Sequence, residues 1–372
     1  MISAPARIGS HVSEVDTPAL LVELDALERN IARMQDRIAG TKLRLRPHAK
    51  THKSTAIANL QLAAGAIGVC CQKISEAEIM VDGGIGDVLI SNEVIGAAKL
   101  DRVAALARRA KVAVCVDDCD NAQQLAAAAE KFGANIDVLV ELNVGAGRCG
   151  VETPGEVARL AAALARTKSL RFAGLQAYHG SAQHLRAREE RRRAIASAAG
   201  KVSDALALLR RNGLECGIVS GAGTGTFEFE IDSGVYDELQ VGSYVFMDAD
   251  YGRNEDREGK PVCEFENSLF LLTTVMSTPT AQRAVVDAGL KALSVDSGMP
   301  LLVGCDGVSY ARAADEHGRL DIGGNHRFKL GDKIRLIPGH CDPTVNLHDW
   351  FVGIRNEHVE SIWPVSARGA VF

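Results

Sequence analysis

The sequence predicts an α/β protein: a (β/α)8 barrel of the TIM type followed by an all-β domain. Three observations carry this. Eight short runs rich in Val, Ile and Leu alternate with amphipathic stretches between residues 43 and 247, as strand-helix repeats require. Beyond residue 255 the pattern changes to alternating β segments such as SLFLLTTVMS, KIRLIPGH and WFVGIR, with no helical stretches between them. Glycine, at 36 residues, is abundant while aromatics make up 5% of the chain, which suits many tight turns. A doubly wound open sheet would also alternate strands with helices, and counting strands leaves it open.

Taken in order, the expected barrel strands are 43–50 (LRLRPHAK), 66–72 (AIGVCCQ), 86–92 (GDVLISN), 111–117 (KVAVCVD), 136–144 (IDVLVELNV), 172–179 (FAGLQAYH), 215–220 (ECGIVS) and 238–247 (ELQVGSYVFM). Between them, apolar residues recur at helical spacing, as in Leu100, Val103 and Leu106 or Val202, Leu206 and Leu209. Ser75 with Glu78, and Thr153 with Pro154 and Glu156, read as capped helix starts, and Gly133 and Gly213 as stops. A further strand at 20–24 and a helix with Leu27, Ile31, Met34 and Ile38 on one face precede the eight. The expected division is a barrel over residues 19–252 and a β domain formed by 1–18 with 253–372.

Composition narrows the function. With 47% hydrophobic and 24% charged residues and no long uncharged apolar run, the chain is an ordinary globular protein without an expected membrane span. The N-terminal sequence shows no secretory signal pattern, so a cytoplasmic location is expected. A net charge of −5 argues against a nucleic-acid partner. The nine cysteines form no CxxC pair, which points to reduced thiols rather than a disulfide framework or a thiolate zinc site.

In a barrel, chemistry projects from the C-terminal ends of the strands. Here those ends carry Lys50, Arg148, the run Gln176-Ala177-Tyr178-His179, and the loop Gly221-Ala222-Gly223-Thr224-Gly225-Thr226. The glycine-rich loop follows the seventh strand, where barrels build phosphate cups from backbone N–H groups; a flexible turn is the plain alternative. It is neither a Walker loop nor a convincing dinucleotide fingerprint. Lys50 is either an ordinary surface lysine or an amine activated by desolvation. Together with the cup and an arginine, it supplies the parts of a pyridoxal phosphate site. Near the C-terminus, His340 and Asp342 are one residue apart, so on an extended segment both would face one side and suit a divalent metal. A polar turn is the alternative, and His348 with Asp349 would be a supporting shell.

These segments make a resemblance specific. RPHAKTHK, GVCCQKISEAE, GAGRCGV, GLQAYHGSAQH, GAGTGT, ELQVGSYVFMDADYG, VVDAGLK and PGHCDPTVNLHD resemble the D-threonine aldolase family of pyridoxal phosphate enzymes, in the alanine racemase fold group. The resemblance spans nearly the whole chain. It implies an alanine racemase-like barrel plus β domain, a homodimer, and pyridoxal 5'-phosphate with a divalent metal. Mn2+ is the expected ion, with Mg2+, Co2+ and Zn2+ as alternatives. Residue by residue it implies Lys50 as the cofactor-bearing amine and Arg148 at the pyridine nitrogen. Thr224 and Gly225, with Gly223, form the phosphate cup, while Gln176, Tyr178 and Tyr244 sit at the cofactor. His184 is implied as the base, with His179 as a second candidate, and His340 with Asp342 as metal ligands. Position 222, commonly Gly in relatives, is Ala here and should restrict the loop.

The reaction so implied is retro-aldol cleavage of a 3-hydroxy-D-amino acid, of the D-threonine type, to glycine and an aldehyde. A 3-hydroxy-D-aspartate aldolase, giving glycine and glyoxylate, is the nearest alternative, for which Arg253, Arg312 or Arg186 could receive the second carboxylate. D-Serine and 3-hydroxyaspartate dehydratases resemble one another in a His-x-Cys metal pair, where this sequence has Asp342. A non-catalytic pyridoxal phosphate carrier would lack the β domain, and a barrel metal hydrolase would need more ligands at strand ends.

Overall fold

A computed structural model describes residues 3–372, so Met1 and Ile2 of the segment assigned to the β domain lie outside the described residues. Strand β1 (Ala19–Glu23) and helix α1 (Leu24–Ile38) come first. Strands and helices then alternate: β2 (Arg44–Leu45), α2 (Thr55–Ala63), β3 (Val69–Cys71), α3 (Ile74–Asp82), β4 (Asp87–Glu93), α4 (Ala97–Leu106), β5 (Lys111–Val116) and α5 (Cys119–Phe132). The series continues through β6 (Ile136–Glu141), α6 (Pro154–Ala165), β7 (Leu170–Ala177), α7 (Arg188–Arg211), β8 (Ile218–Gly221), α8 (Phe227–Ser233) and β9 (Glu238–Leu239).

The parallel sheet runs β2-β9-β8-β7-β6-β5-β4-β3. Its two ends meet: Ile67 N donates to Leu45 O at 2.9 Å and Cys70 N to Pro47 O at 2.8 Å, and His48 bridges Cys70 in parallel. Sequential order and closure make this a barrel, because a doubly wound sheet reverses its strand order and stays open. The first and last barrel strands are shorter than expected. Pro47 has no N–H to continue the ladder, and residues 49–51 and 243–245 wind into single 3-10 turns.

Helix boundaries follow side-chain competition. The expected Ser75–Glu78 start is corrected to one at Lys73, where Glu76 accepts from Gln72 N at 2.7 Å and Lys73 N at 3.3 Å, while Glu78 is taken by Arg102 at 2.8 Å. The Thr153–Glu156 box forms as expected, and Gly133 ends α5 in the left-handed conformation at φ 60°.

The second sheet contains β10 (Leu269–Thr280), β11 (Arg283–Val286), β12 (Leu301–Leu302), β13 (Val308–Ala313), β14 (Gly318–Ile322), β15 (Lys333–Ile337), β16 (Trp350–Arg355) and β17 (His358–Pro364), with a short helix α9 (Cys341–Val345). β1 lies in its middle, antiparallel to β10 through Leu20 and Leu271 and parallel to β16 through Leu20 and Phe351. The barrel boundary expected at residue 19 therefore moves: residues 19–23 belong to the β sheet, since all four apolar residues of β1 are buried there. Helix α1 seals the junction, its Leu27, Ile31, Met34 and Ile38 sharing one core with Val245, Phe246, Leu271 and Phe351.

Inside the barrel, one side is a layer of small and apolar residues, Cys70, Leu89, Cys115, Leu139 and Ala173. The other side is a polar chain. Arg46 donates to Asp87 at 2.6 Å and to Glu238 at 2.9 Å; Ser220 donates to Glu238 at 2.9 Å; Gln240 donates to Ser220 at 2.7 Å and to Gln176 at 2.6 Å. Cys70, Cys71, Cys115 and Cys341 are buried, and all the cysteines are unpaired. Among the described residues, no helix is long and apolar enough to cross a membrane.

Removing the guanidinium would strand the Glu238 carboxylate in the interior. Arg46→Met should cost about 3–5 kcal/mol, read as a lowered thermal midpoint, and adding Glu238→Gln should recover part of the loss.

Candidate active site

A cavity of about 220 Å³ opens at the C-terminal ends of the barrel strands, lined among others by His48, Lys50, Gln72, Arg148, Tyr178, His184, Gly223, Thr224, Gly242, Ser243 and Tyr251. Lys50 sits on the 3-10 turn that follows β2, with its Nζ on Asp342 Oδ2 of the β domain. Burial would depress the Lys50 pKa, but Asp342 and Tyr178 outweigh it and raise the value. Burial likewise works against ionised Asp342, yet Lys50 and His340 hold its carboxyl at about 2. His48, buried and beside Lys50, is pushed down to about 3 and is neutral.

Arg148 stands on the loop after β6, with Nη2 3.9 Å from Glu141 Oε1. That loop is fixed by Asn143 Oδ1, which accepts from Gly145 N at 3.1 Å and Gly147 N at 3.0 Å, and by Asp117, which accepts from Gly150 N at 3.0 Å. Below Arg148 the Glu141 carboxyl is pushed up by burial and by neighbouring Glu93, and Glu141 Oε2 has no hydrogen-bond partner.

The opposite end of the cavity is a cup made by the loops after β8 and β9. Thr224 Oγ1 accepts from Tyr244 N at 2.9 Å and ties the two loops together. A Cβ on Gly242 would stand 2.7 Å from Thr51 Oγ1, and one on Gly223 would collide with the Gln183 amide, so any larger residue at either position would have to displace a side chain. Ala222 is buried at φ 69°, a conformation costing a residue with a Cβ about 1–2 kcal/mol.

His184 Nδ1 is 2.5 Å from Asp250 Oδ2. Burial opposes ionisation of Asp250, but Arg253, Arg186 and His184 outweigh it and hold the carboxyl low. A carboxylate on Nδ1 fixes the tautomer that leaves Nε2 as the acceptor. His340 has a parallel arrangement, its Nδ1 lying 2.8 Å from Asp296 Oδ2. The extended geometry expected for His340 and Asp342 is corrected: His340 is the extended N-cap of α9, and Asp342 lies in its first turn. Pro343 presets the helical φ, and Thr344 Oγ1 closes the turn on His340 O at 2.8 Å. Cys341 points away, its Sγ 3.2 Å from Met247 O. His348 is 2.7 Å from Ala292 O.

The cavity thus gathers Lys50, Arg148, Tyr178, Gly223, Thr224 and His184 on its wall, with Asp342 on Lys50. Other expected residues support it from behind. Gln176 acts through Gln240, Gly225 N donates to Gln183 Oε1 at 2.9 Å, and the Tyr244 phenol lies in the core, 3.0 Å from Gln61 Nε2. His179 is not a wall residue; its ring packs against Gly145, and Nδ1 is 3.3 Å from Ser181 Oγ. Lys53 is buried and pairs with Glu76. Sequence reasoning missed Asp248, Asp250 and Asp296, which hold the site together but are remote in sequence from the groups they hold.

The fold and this site define an alanine racemase-like barrel protein. The model of the alanine racemase N-terminal domain matches residues 22–250, and that of a putative serine dehydratase domain matches residues 268–354. The chain is 51% identical to a 3-hydroxy-D-aspartate aldolase of Paracoccus denitrificans (strain Pd 1222), over 98% of this chain and 95% of that one. It is 49% identical to a D-threonine aldolase of Arthrobacter sp, over 98% and 96%. A solved D-threonine aldolase from Filomicrobium marinum superposes with a TM-score of 0.97 at 52% identity, covering 100% of both chains. The chain belongs to the alanine racemase family, in the group that contains these D-threonine and 3-hydroxy-D-aspartate aldolases.

Behind the cup, Thr226 Oγ1 donates to Glu230 Oε1 at 2.8 Å, and burial pushes the Glu230 carboxyl up to about 8. The folded state therefore holds a proton that the unfolded chain releases near its ordinary value of 4.5. Stability contributed at this position falls as pH rises from there to about 8. Glu230→Gln should gain on the parent chain by about 1.4 kcal/mol per pH unit across that window, seen as a melting-temperature difference that widens from pH 5 to pH 8.

Proposed function

We propose that the protein is a pyridoxal 5'-phosphate- and divalent-metal-dependent carbon-carbon lyase that cleaves 3-hydroxy-D-amino acids to glycine and an aldehyde. The observation that carries this is the meeting of Lys50 from the barrel and Asp342 from the β domain at one cavity with His184 on its wall.

The residues fit the cofactor. Lys50 supplies the amine, Arg148 a guanidinium for the pyridine nitrogen, Tyr178 a wall, and the glycine-lined cup with Thr224 an anion cradle. They also fit a cation: Asp342 Oδ1 is buried without a hydrogen-bond partner, and His340 is oriented through Nδ1 by Asp296, leaving Nε2 for the ion. Among the described residues no cluster of three or more metal-ligating side chains occurs, so a cation held by two keeps positions for substrate. An imidazole and a carboxylate suit Mn2+.

Bound pyridoxal phosphate supplies the electron sink for the charge left at Cα. A divalent cation held by His340 and Asp342 would supply a Lewis acid to acidify the β-hydroxyl. His184 Nε2 accepts the hydroxyl proton, and the Asp250 carboxylate stabilises the imidazolium that results. The bond between Cα and Cβ breaks, Cβ leaves as the aldehyde carbon, and Cα takes up a proton to become glycine. Arg148, facing the pyridine nitrogen, would keep it unprotonated, which would make acidification of the hydroxyl more important. Cys341 supports aldolase over dehydratase chemistry, since its thiol is turned onto Met247 O and burial pushes its pKa well up. The reading includes a homodimer in the cytoplasm, on the resemblance.

Incubation with D-threonine, 3-hydroxyaspartate and D-serine, with and without manganese, separates the possibilities by product. Glycine with acetaldehyde or glyoxylate is expected; pyruvate or oxaloacetate as the main product refutes the aldolase reading. His184→Ala should abolish cleavage while keeping the visible absorbance of bound cofactor, whereas full turnover removes His184 from the mechanism. Asp342→Asn should lower the affinity for manganese at least tenfold by metal titration.

A further inference from the structure

At the mouth of the site one arginine has donors to spare. Arg253 follows the last barrel loop, on the 3-10 turn at 251–253, and its side chain is half exposed. Its Nη2 donates to Asp250 Oδ1 and, at 2.7 Å, to Ser297 O. Both of these bonds use Nη2, so Nε and Nη1 are left for another acceptor. Gly298 faces Nη1, where a Cβ would approach to 3.2 Å, so the absence of a side chain there keeps the guanidinium accessible.

The position is set by two partners. Asp250 also holds His184, and Ser297 places its Oγ 3.5 Å from His340 Nδ1. The guanidinium therefore stands between the supports of the base and of the metal-binding histidine. On the aldolase reading both of those groups act at the β-carbon of the substrate, which puts Arg253 on the side where that carbon's substituent would lie. Asp250 is shared by two guanidiniums, Arg253 and Arg186. Arg186 is committed, with Nη1 on Asp250 O at 2.7 Å and Asn254 Oδ1 at 2.9 Å and Nη2 on Asp250 Oδ1 at 2.5 Å. Arg312 lies on β13, paired against β14 in the β sheet.

We propose that Arg253 is the receptor for a second carboxylate on the substrate, which makes an acidic 3-hydroxy-D-amino acid of the 3-hydroxy-D-aspartate type the preferred substrate. This rests on the aldolase reading and deepens it. A carboxylate on Cβ meets Nε and Nη1 as a charge-assisted, two-point contact, whereas the methyl group of D-threonine has no partner there. A site built to hydrogen-bond a substrate group discriminates strongly against an analogue that lacks it.

The test compares kcat/KM for 3-hydroxy-D-aspartate and D-threonine in the manganese-loaded holoenzyme, its Arg253→Met variant and its Arg253→Lys variant. The parent should favour the dicarboxylate, Arg253→Met should shift selectivity toward D-threonine by about a hundredfold, and Lys should restore part of it. A second arm uses D-aspartate and D-alanine, which lack the β-hydroxyl and cannot be cleaved, titrated by the change in cofactor absorbance. The parent should bind D-aspartate more tightly, and Arg253→Met should erase that preference. A parent that prefers D-threonine overturns the proposal. So does an equal fall on both substrates, which makes Arg253 a support for Asp250 and His184, and so does unchanged selectivity. If neither substrate is cleaved, the aldolase reading fails, and the D-aspartate titration still decides the role of Arg253.

Discussion

The Asp248 carboxylate joins the two halves of the site. It is buried, accepts from Tyr251 N at 2.9 Å on the last barrel loop and from Cys341 N at 3.0 Å at the start of α9, and is pushed up to about 6 chiefly by burial. Ala249 N reinforces the join by donating to Pro338 O at 2.9 Å. Lys50 is on the barrel and Asp342 is on the β domain, so their contact exists only while this junction keeps register. A carboxylate is the natural residue for the task, because its two oxygens can each take one backbone N–H from a different domain.

Below the site, the barrel interior is divided by function. The cysteine, leucine and alanine layer fills space without demanding polar partners. The chain from Arg46 through Glu238 and Ser220 to Gln240 instead carries hydrogen bonds up to the cavity wall. Such a network is stable only when its members are satisfied, which couples the ion pair in the interior to the orientation of Gln240 at the cavity. The supporting aspartates follow the same logic: Asp250 and Asp296 each fix one ring nitrogen so that the other is free to act.

The central barrel strands were legible because IDVLVE and DVLISN are apolar on both faces, as strands covered by helices outside and filled within must be. The glycine-rich loop and Lys50 were legible because barrels confine chemistry to strand ends. Other features have no local signature. β1 reads as a strand, but its sheet is decided by Leu271 and Phe351, far along the chain. The aspartates at 248, 250 and 296 look like any others until folding brings them to Cys341, His184 and His340. The His340–Asp342 geometry was misread because Pro343 and the Thr344 hydroxyl turn a segment whose spacing suits a strand.

The split β domain imposes an order on assembly at the ribosome. All eight barrel strands have been synthesised by residue 239, whereas β1 lies between β10 and β16, and Val22 must wait for Leu269, 247 positions later. At about 5–20 residues per second this amounts to about 10–50 s. Throughout that interval ALLVE and the apolar face of α1 have no partner strands to cover them. The nascent chain thus carries a sticky N-terminal segment while the barrel is being made and, over the 30 positions from Leu239 to Leu269, beside a complete set of barrel strands, and it is at this stage, rather than in the mature enzyme, that a holding chaperone would have the most to protect.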